Sequence, residues 1–279
     1  MQTITKTTSQ DCFGRGNLEL LIVDNEFGQA IISPQGAQLL SYRRKQDSKD
    51  FLWLSDSAVF ETGKAIRGGV PVCLPWFGPK EGKAQHGFAR NLPWRLFESG
   101  DARQTKFELV ARVDNPNHDF DWDFTATLEM SFTDQLQLQL TVVNESARAM
   151  PLSWALHAYH PVVDIEKTTL SGLDQCTFLD NTNQRRRSIQ SGPVSFSGEV
   201  DRAYLQVGKS QCIDGYFEVS ASNTQSAVVW NPGAELSNRM ADLSDYRGFV
   251  CLERGDVLDD ERSLVPFEPF SASVTVRML

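Results

Sequence analysis

Histidine is scarce in this chain, with four in 279 residues, and two of them, His157 and His160, lie three apart. On a strand that spacing points the two rings to opposite faces, so they cannot share a metal. No Asp or Glu is spaced beside them as a third ligand, and no metal or cofactor is expected. Cysteine is equally thin: Cys12, Cys73, Cys176, Cys212 and Cys251 are odd in number, scattered and without a C-x-x-C pair. This suits reduced thiols, packed as small hydrophobes, better than a disulfide framework or a zinc site. Positive charge is in deficit, with 27 Lys and Arg against 36 Asp and Glu and a net charge of −9, which disfavours a nucleic-acid partner. The opening residues MQTITKTTSQ hold no apolar signal core, and no run approaches the ~18 apolar residues of a membrane span. A cytoplasmic protein without membrane contact is expected. Also missing are a G-x-S-x-G elbow, a dinucleotide fingerprint, a catalytic cysteine motif and the G-K-[ST] that would make Gly68-Gly69 a phosphate loop. Nucleophilic and redox chemistry are disfavoured, and with no charged tail, low-complexity segment or coiled coil a purely regulatory role has no support.

Strand periodicity is what the chain has in quantity. Trp122, Phe124, Ala126, Leu128, Met130 and Phe132 alternate with polar residues, and Leu136, Leu138, Leu140 and Val142 do the same after Thr133-Asp134-Gln135. This predicts a hairpin of two half-buried strands. Further strands are predicted over residues 18–23, 30–33, 39–42, 94–98, 107–113, 216–220, 227–230, 249–253 and 273–278, and a helix only over 235–243. No linker divides the chain, so residues 1–279 are expected to form one all-β domain of antiparallel sheets. Periodicity alone leaves sandwich and barrel both open.

The segment 66–90, IRGGVPVCLPWFGPKEGKAQHGFAR, is too rich in Gly and Pro for a helix or an unbroken strand and too apolar for a free loop. It predicts a shaped loop packed on the core that carries Arg67, Gln85, His86 and Arg90 on rigid backbone. The two arginines suit a phosphate clamp, or equally ordinary ion pairs. His118, in the acidic turn DNPNHDFDWD, is expected in solvent, and the Asp119, Asp121, Asp123 alternation lacks the glycine and spacing of a calcium loop. His157, in SWALHAYHPVVDI, reads on its own as a core histidine hydrogen-bonded to backbone. Glu253 closes the apolar run GFVCLE and on its own reads as a solvated carboxylate or one paired with Arg254, whose charge, if near, would lower its pKa and weaken it as a proton acceptor.

The order IRGG, PWFG, HGFAR, then the segments 153–173 and 228–253, resembles the aldose 1-epimerase (mutarotase) superfamily and within it the glucose-6-phosphate 1-epimerase branch. The likeness runs from about Asn17 to the end. It implies a large antiparallel β-sandwich of the galactose mutarotase-like type with few short helices. It implies interconversion of the α and β anomers of a hexose 6-phosphate by acid and base, without cofactor. Carried over by position, His157 is the acid and Glu253 the base, while Arg67, Gln85, His86, Arg90 and Asp201 bind the sugar phosphate. Trp76, Phe77 and Trp230 are candidate apolar faces for the pyranose, and Arg185, Arg186 and Arg187 could rim a phosphate entrance. His160 departs from the more common Phe. The protein is expected to act on a small molecule as a monomer. The rival readings are a mutarotase for free aldoses and a non-catalytic carbohydrate or sugar-phosphate binding protein on the same fold.

Overall fold

The computed structural model describes residues 2–47, 49–97, 104–115 and 120–279, so Glu98, His118 and Asp119 lie outside the described residues. The described chain is all-β, built of antiparallel sheets with two short α-helices, Ser9–Phe13 and Gly233–Ser237. The hairpin forms as the alternation predicts: Phe124–Phe132 pairs with Leu136–Asn144, their even-numbered residues buried and their odd-numbered ones turned outward. Pro269–Met278 lies between this hairpin and Phe217–Ser222 in the middle of a nine-stranded sheet.

An eight-stranded sheet faces it. Its strands in chain order are β1 (Val72–Cys73), β2 (Trp154–Leu156), β3 (Tyr159–Pro161), β4 (Thr177–Asp180), β5 (Arg186–Ile189), β6 (Val200–Tyr204), β7 (Ser226–Asn231) and β8 (Phe249–Asp256). They run in the order β5-β4-β6-β7-β8-β2-β1, with β3 also paired to β8. Val250 and Leu252 of β8 and Ala227 and Val229 of β7 meet Phe124, Leu128, Leu138 and Val274 of the nine-stranded sheet in one core. Each such side chain contributes about 1.5–3 kcal/mol on burial, which fixes the inward face of every strand. The alternate residues, Cys251 and Glu253 of β8 and Val228 and Trp230 of β7, therefore leave by the outer face, where clusters separate from that core form.

Several sequence expectations are corrected. β8 continues three residues past Glu253, which stands inside a strand rather than at its end. Arg254 points to the other face of β8 and is held by the carbonyls of Ser226, Gly208 and Lys209, Gln211 Oε1 and Thr224 Oγ1. The expected weakening of Glu253 by Arg254 has no geometric basis. The helix predicted over 235–243 stops at Ser237, because Asp242 is drawn to Arg67 and Leu243 packs with Tyr159 and Phe249. Ser9–Phe13 was not predicted as a helix; it is set by Thr8, whose hydroxyl accepts the Asp11 N–H at 3.2 Å, and by Gly14 at φ 70°. The strand Thr3–Thr8 also escaped notice, since its residues are polar and mostly exposed. Among the described residues no helix is long and apolar enough to cross a membrane.

Candidate active site

Four strands from distant parts of the chain place one residue each in a row. Tyr159 on β3 stands opposite Cys251 on β8, Cys251 opposite Trp230 on β7, and Trp230 opposite Asp201 on β6. Two residues further along β8, Glu253 stands opposite Val228. Tyr159, Trp230, Asp201, Val228 and Glu253 line the floor of a cleft of about 720 Å³, large enough for a monosaccharide derivative. Cys251 lies beneath it, packed with Tyr159, Leu243 and Phe249.

His157 occupies the break between β2 and β3, where the chain changes partners. Its N–H donates to Pro71 O at 3.0 Å, while that of Tyr159 donates to Gly69 O at 2.9 Å. The break turns the His157 ring into the cleft, stacked on Tyr159 at 4.9 Å between centroids, with Nε2 3.3 Å from Glu253 Oε1. His160, by contrast, is buried on the core side against Phe217, so the two histidines do face opposite ways.

The segment 66–90 forms one wall. Gly69 (φ 62°) and Gly87 (φ 71°) have no room for a Cβ, which would stand 2.2 Å from Leu39 O at the first and 1.9 Å from Leu74 O at the second. These close approaches anchor the residues beside them. His86 donates its N–H to Gly78 O at 2.9 Å and accepts the Gly78 N–H on Nδ1 at 3.2 Å, which leaves the proton of the neutral ring on Nε2. Arg67 reaches Asp242 through Nε at 3.1 Å and Nη2 at 3.0 Å, and Tyr159 Oη through Nη1 at 3.1 Å. Arg90 donates from Nη2 to Gln85 O at 2.8 Å, and its buried Nε has no partner. Among the described residues no carboxylate pairs with Arg90, whereas Arg67 is already neutralised.

Burial dominates the electrostatics. It holds the His157 imidazolium well below its usual range, helped by His86, Arg90 and Arg67. It pushes the Glu253 carboxyl well above the carboxylate range, with Asp201 adding to the rise and Arg90 opposing it. His86 is lowered to about 3 by burial and the same two arginines. Asp201 is raised by burial, against the hydrogen bond it accepts from Asn181 Nδ2 at 2.7 Å. Both shifts run the same way, toward a neutral imidazole beside a carboxylic acid. Both Glu253 oxygens and His157 Nδ1 are buried without a hydrogen-bond partner. Such groups cost about 1–3 kcal/mol each when left unpaired.

All seven residues singled out in the sequence, Arg67, Gln85, His86, Arg90, His157, Asp201 and Glu253, line this one cleft. Phe77 and Trp230 line it too, but Trp76 does not: it is buried against Phe88 and Phe120. The basic run divides, with Arg185 on the cleft and Arg187 paired to Asp259 elsewhere. Tyr159 and Asp242, which also line the cleft, were missed. Tyr159 stands two residues from a chosen residue, a same-face spacing that was available as a signal; Asp242 gave none.

The sequence pattern described as aldose 1-epimerase matches residues 19–277. The chain is 36% identical over 249 residues to a provisionally named glucose-6-phosphate 1-epimerase of Escherichia coli (strain K12), covering 85% of this chain and 82% of that one. Its identity to the protein of the same provisional name from Salmonella typhimurium is 35% over 250 residues, covering 85% and 83%. The crystal structure of a provisionally assigned mutarotase, YeaD, from Salmonella typhimurium superposes with a TM-score of 0.84 at 31% identity, covering 94% of this chain and 90% of that one.

Proposed function

The chain belongs to the aldose 1-epimerase family and is an isomerase that interconverts sugar anomers, and from that premise we propose that His157 and Glu253 open and close the ring of a hexose 6-phosphate, glucose 6-phosphate in the first place. The observation that carries the assignment of the pair is their contact at depth: Glu253 is 1% exposed and His157 7%, His157 Nε2 stands 3.3 Å from Glu253 Oε1, and both Glu253 oxygens and His157 Nδ1 have no hydrogen-bond partner. Substrate hydroxyl and ring oxygens would satisfy them.

Ring opening requires a proton delivered to the ring oxygen and another removed from the anomeric hydroxyl. Starting from imidazolium and carboxylate, His157 gives its proton to the ring oxygen while Glu253 takes the hydroxyl proton. The C1–O5 bond breaks and the free aldehyde forms. The pair is then neutral imidazole and carboxylic acid, the direction in which burial shifts both groups. After rotation about C1–C2 the steps reverse, Glu253 returning its proton to the carbonyl oxygen as His157 removes the one on O5. The starting zwitterion differs only by one proton moved across the 3.3 Å gap.

Arg90, at the cleft and without an acid partner among the described residues, is the group best placed to hold the 6-phosphate, with Arg67 and Gln85 beside it. His86 Nε2 and Asp201 suit the sugar hydroxyls. Sheets sharing one core support a single domain over residues 1–279. Five free cysteines support a cytoplasmic location.

The test follows anomer exchange of glucose 6-phosphate by NMR for wild type, His157→Asn and Glu253→Gln. Wild type should accelerate exchange, and both variants should lose about 100-fold or more while still binding the sugar phosphate. A variant that keeps wild-type exchange would remove its residue from the mechanism. No acceleration by folded wild type on sugar phosphates or free aldoses would leave a binding protein.

A further inference from the structure

His157, Cys251 and Glu253 converge from β8 and the β2–β3 break so that one ligand atom of each, a ring nitrogen, a thiol sulfur and a carboxylate oxygen, lies within 4.8 Å of the other two. All three are buried. We propose that these residues form a three-donor site for a soft divalent cation of the zinc class, and that a cation bound there shuts the sugar out of the cleft.

Three observations carry this. The first is chemical: nitrogen, sulfur and oxygen donors in one cluster are the set that zinc and its heavier congener cadmium select, and the thiol disfavours magnesium or calcium. The second is geometric. Bonds of about 2.0–2.3 Å in a tetrahedron place donor atoms roughly 3.3–3.8 Å apart, and His157 Nε2 and Glu253 Oε1 already stand at 3.3 Å. The ligand atoms of all three residues lie within 4.8 Å of one another, so about 1 Å of closure completes the set. The third is that both Glu253 oxygens lack a partner, so a cation displaces no existing hydrogen bond there.

Charge decides whether a dication can enter a pocket already flanked by Arg67 and Arg90. Binding releases the carboxyl and thiol protons to solvent, leaving carboxylate, thiolate and neutral imidazole around the cation. The assembly is then neutral overall, which a low-dielectric site tolerates far better than a bare dication. Cys251 is what makes this possible, because without its thiolate the site would keep a net positive charge beside two guanidinium groups. Cys251 plays no part in the proton transfers described above, and it lies beneath the cleft surface rather than on it. A cation held by His157 and Glu253 would occupy the two groups that the proposed function gives to the sugar.

This reading extends the proposed function and uses the same two residues, so binding is measured separately from activity. Purified protein, stripped with EDTA, is titrated with cadmium, which reports a thiolate ligand through ultraviolet sulfur-to-metal charge transfer. In parallel, zinc inhibition of glucose 6-phosphate anomer exchange is measured. Wild type should take up one equivalent with the charge-transfer band, zinc should inhibit competitively with sugar, and EDTA should restore activity. Cys251→Ala should keep basal exchange while losing the band and weakening inhibition at least about 100-fold, more than the loss typical of a merely supporting group. Cys251→Ser, which preserves shape, should behave the same way. Equal inhibition of wild type and both folded variants, or an unchanged band in them, would overturn the site. Tight binding with the band, but without competition against sugar, would overturn its placement at the acid/base pair. Loss of all exchange in metal-free wild type, with the band intact, would instead overturn the mutarotase reading and leave the cation site standing.

Discussion

Replacing Glu253 with Gln should make the protein more stable and nearly inactive, and the size of the gain should depend on pH in a defined way. Burial holds the Glu253 carboxyl well above its usual value near 4.5. Below pH 4.5 the group is protonated in both folded and unfolded chains, and ionisation adds no cost. Above it, the unfolded chain ionises while the folded one still keeps its proton, so the unfolded state gains. Linkage makes wild-type stability fall by about 1.4 kcal/mol per pH unit from this residue, until pH reaches the raised folded value and the loss levels off. Gln has the same shape and no ionisation, so the gap between variant and wild type should be small near pH 4.5 and widen with rising pH. At roughly 2–4 °C per kcal/mol for a chain of this size, thermal melts followed by circular dichroism would resolve a single pH unit. Melting temperatures of the two proteins that run parallel from about pH 4.5 to pH 8 would show that Glu253 ionises normally in the fold. They would remove the carboxylic acid from the resting site.

Three further outcomes follow from the site. The pair carries one proton at every pH between the lowered value of His157 and the raised value of Glu253, so kcat should stay level through neutrality. It should fall only where His157 gains a second proton, below 6.5, or where Glu253 loses the first; a profile with one step at 6.5 would contradict this. Arg90→Ala should raise KM for glucose 6-phosphate by about 10- to 100-fold, the worth of a charged hydrogen bond of about 1.5–3 kcal/mol, and leave free glucose unchanged; equal losses on both sugars would remove the phosphate contact. Gly87→Ala, whose new Cβ would stand 1.9 Å from Leu74 O, should cost about 3 kcal/mol or more in urea denaturation, and a neutral result would mean the loop can shift.

Much of this was legible in the sequence for identifiable physical reasons. The hairpin of Phe124–Phe132 and Leu136–Asn144 was readable because each strand buries one face, so hydrophobicity alternates with the pleat. Thr3–Thr8 was invisible because an exposed strand made of polar residues has no such alternation. The wall of the site was readable because Gly69 and Gly87 answer a demand for close backbone approach that no other residue meets. The Arg67–Asp242 pair was not, since nothing local tells two residues that distant that a loop will bring them together. Likewise the three donors at His157, Cys251 and Glu253 carry no metal-ligand spacing in sequence, because they meet through strand register and a break between strands.

The row running from Tyr159 through Cys251 and Trp230 to Asp201 has a bearing on how the protein matures. Its members come from four strands, and each pairing is correct only in one register. A slip of one residue in any of them would swing floor residues into the core and core residues into the cleft. No fragment and no partly zipped intermediate can therefore hold the site. Restoration of catalysis during refolding should trail the return of strand structure, and a turnover assay becomes a readout of whether the sheet has aligned. Deletions of one residue within β7 or β8 should abolish turnover and destabilise the fold together, whereas changes of length in exposed loops far from the cleft should be tolerated.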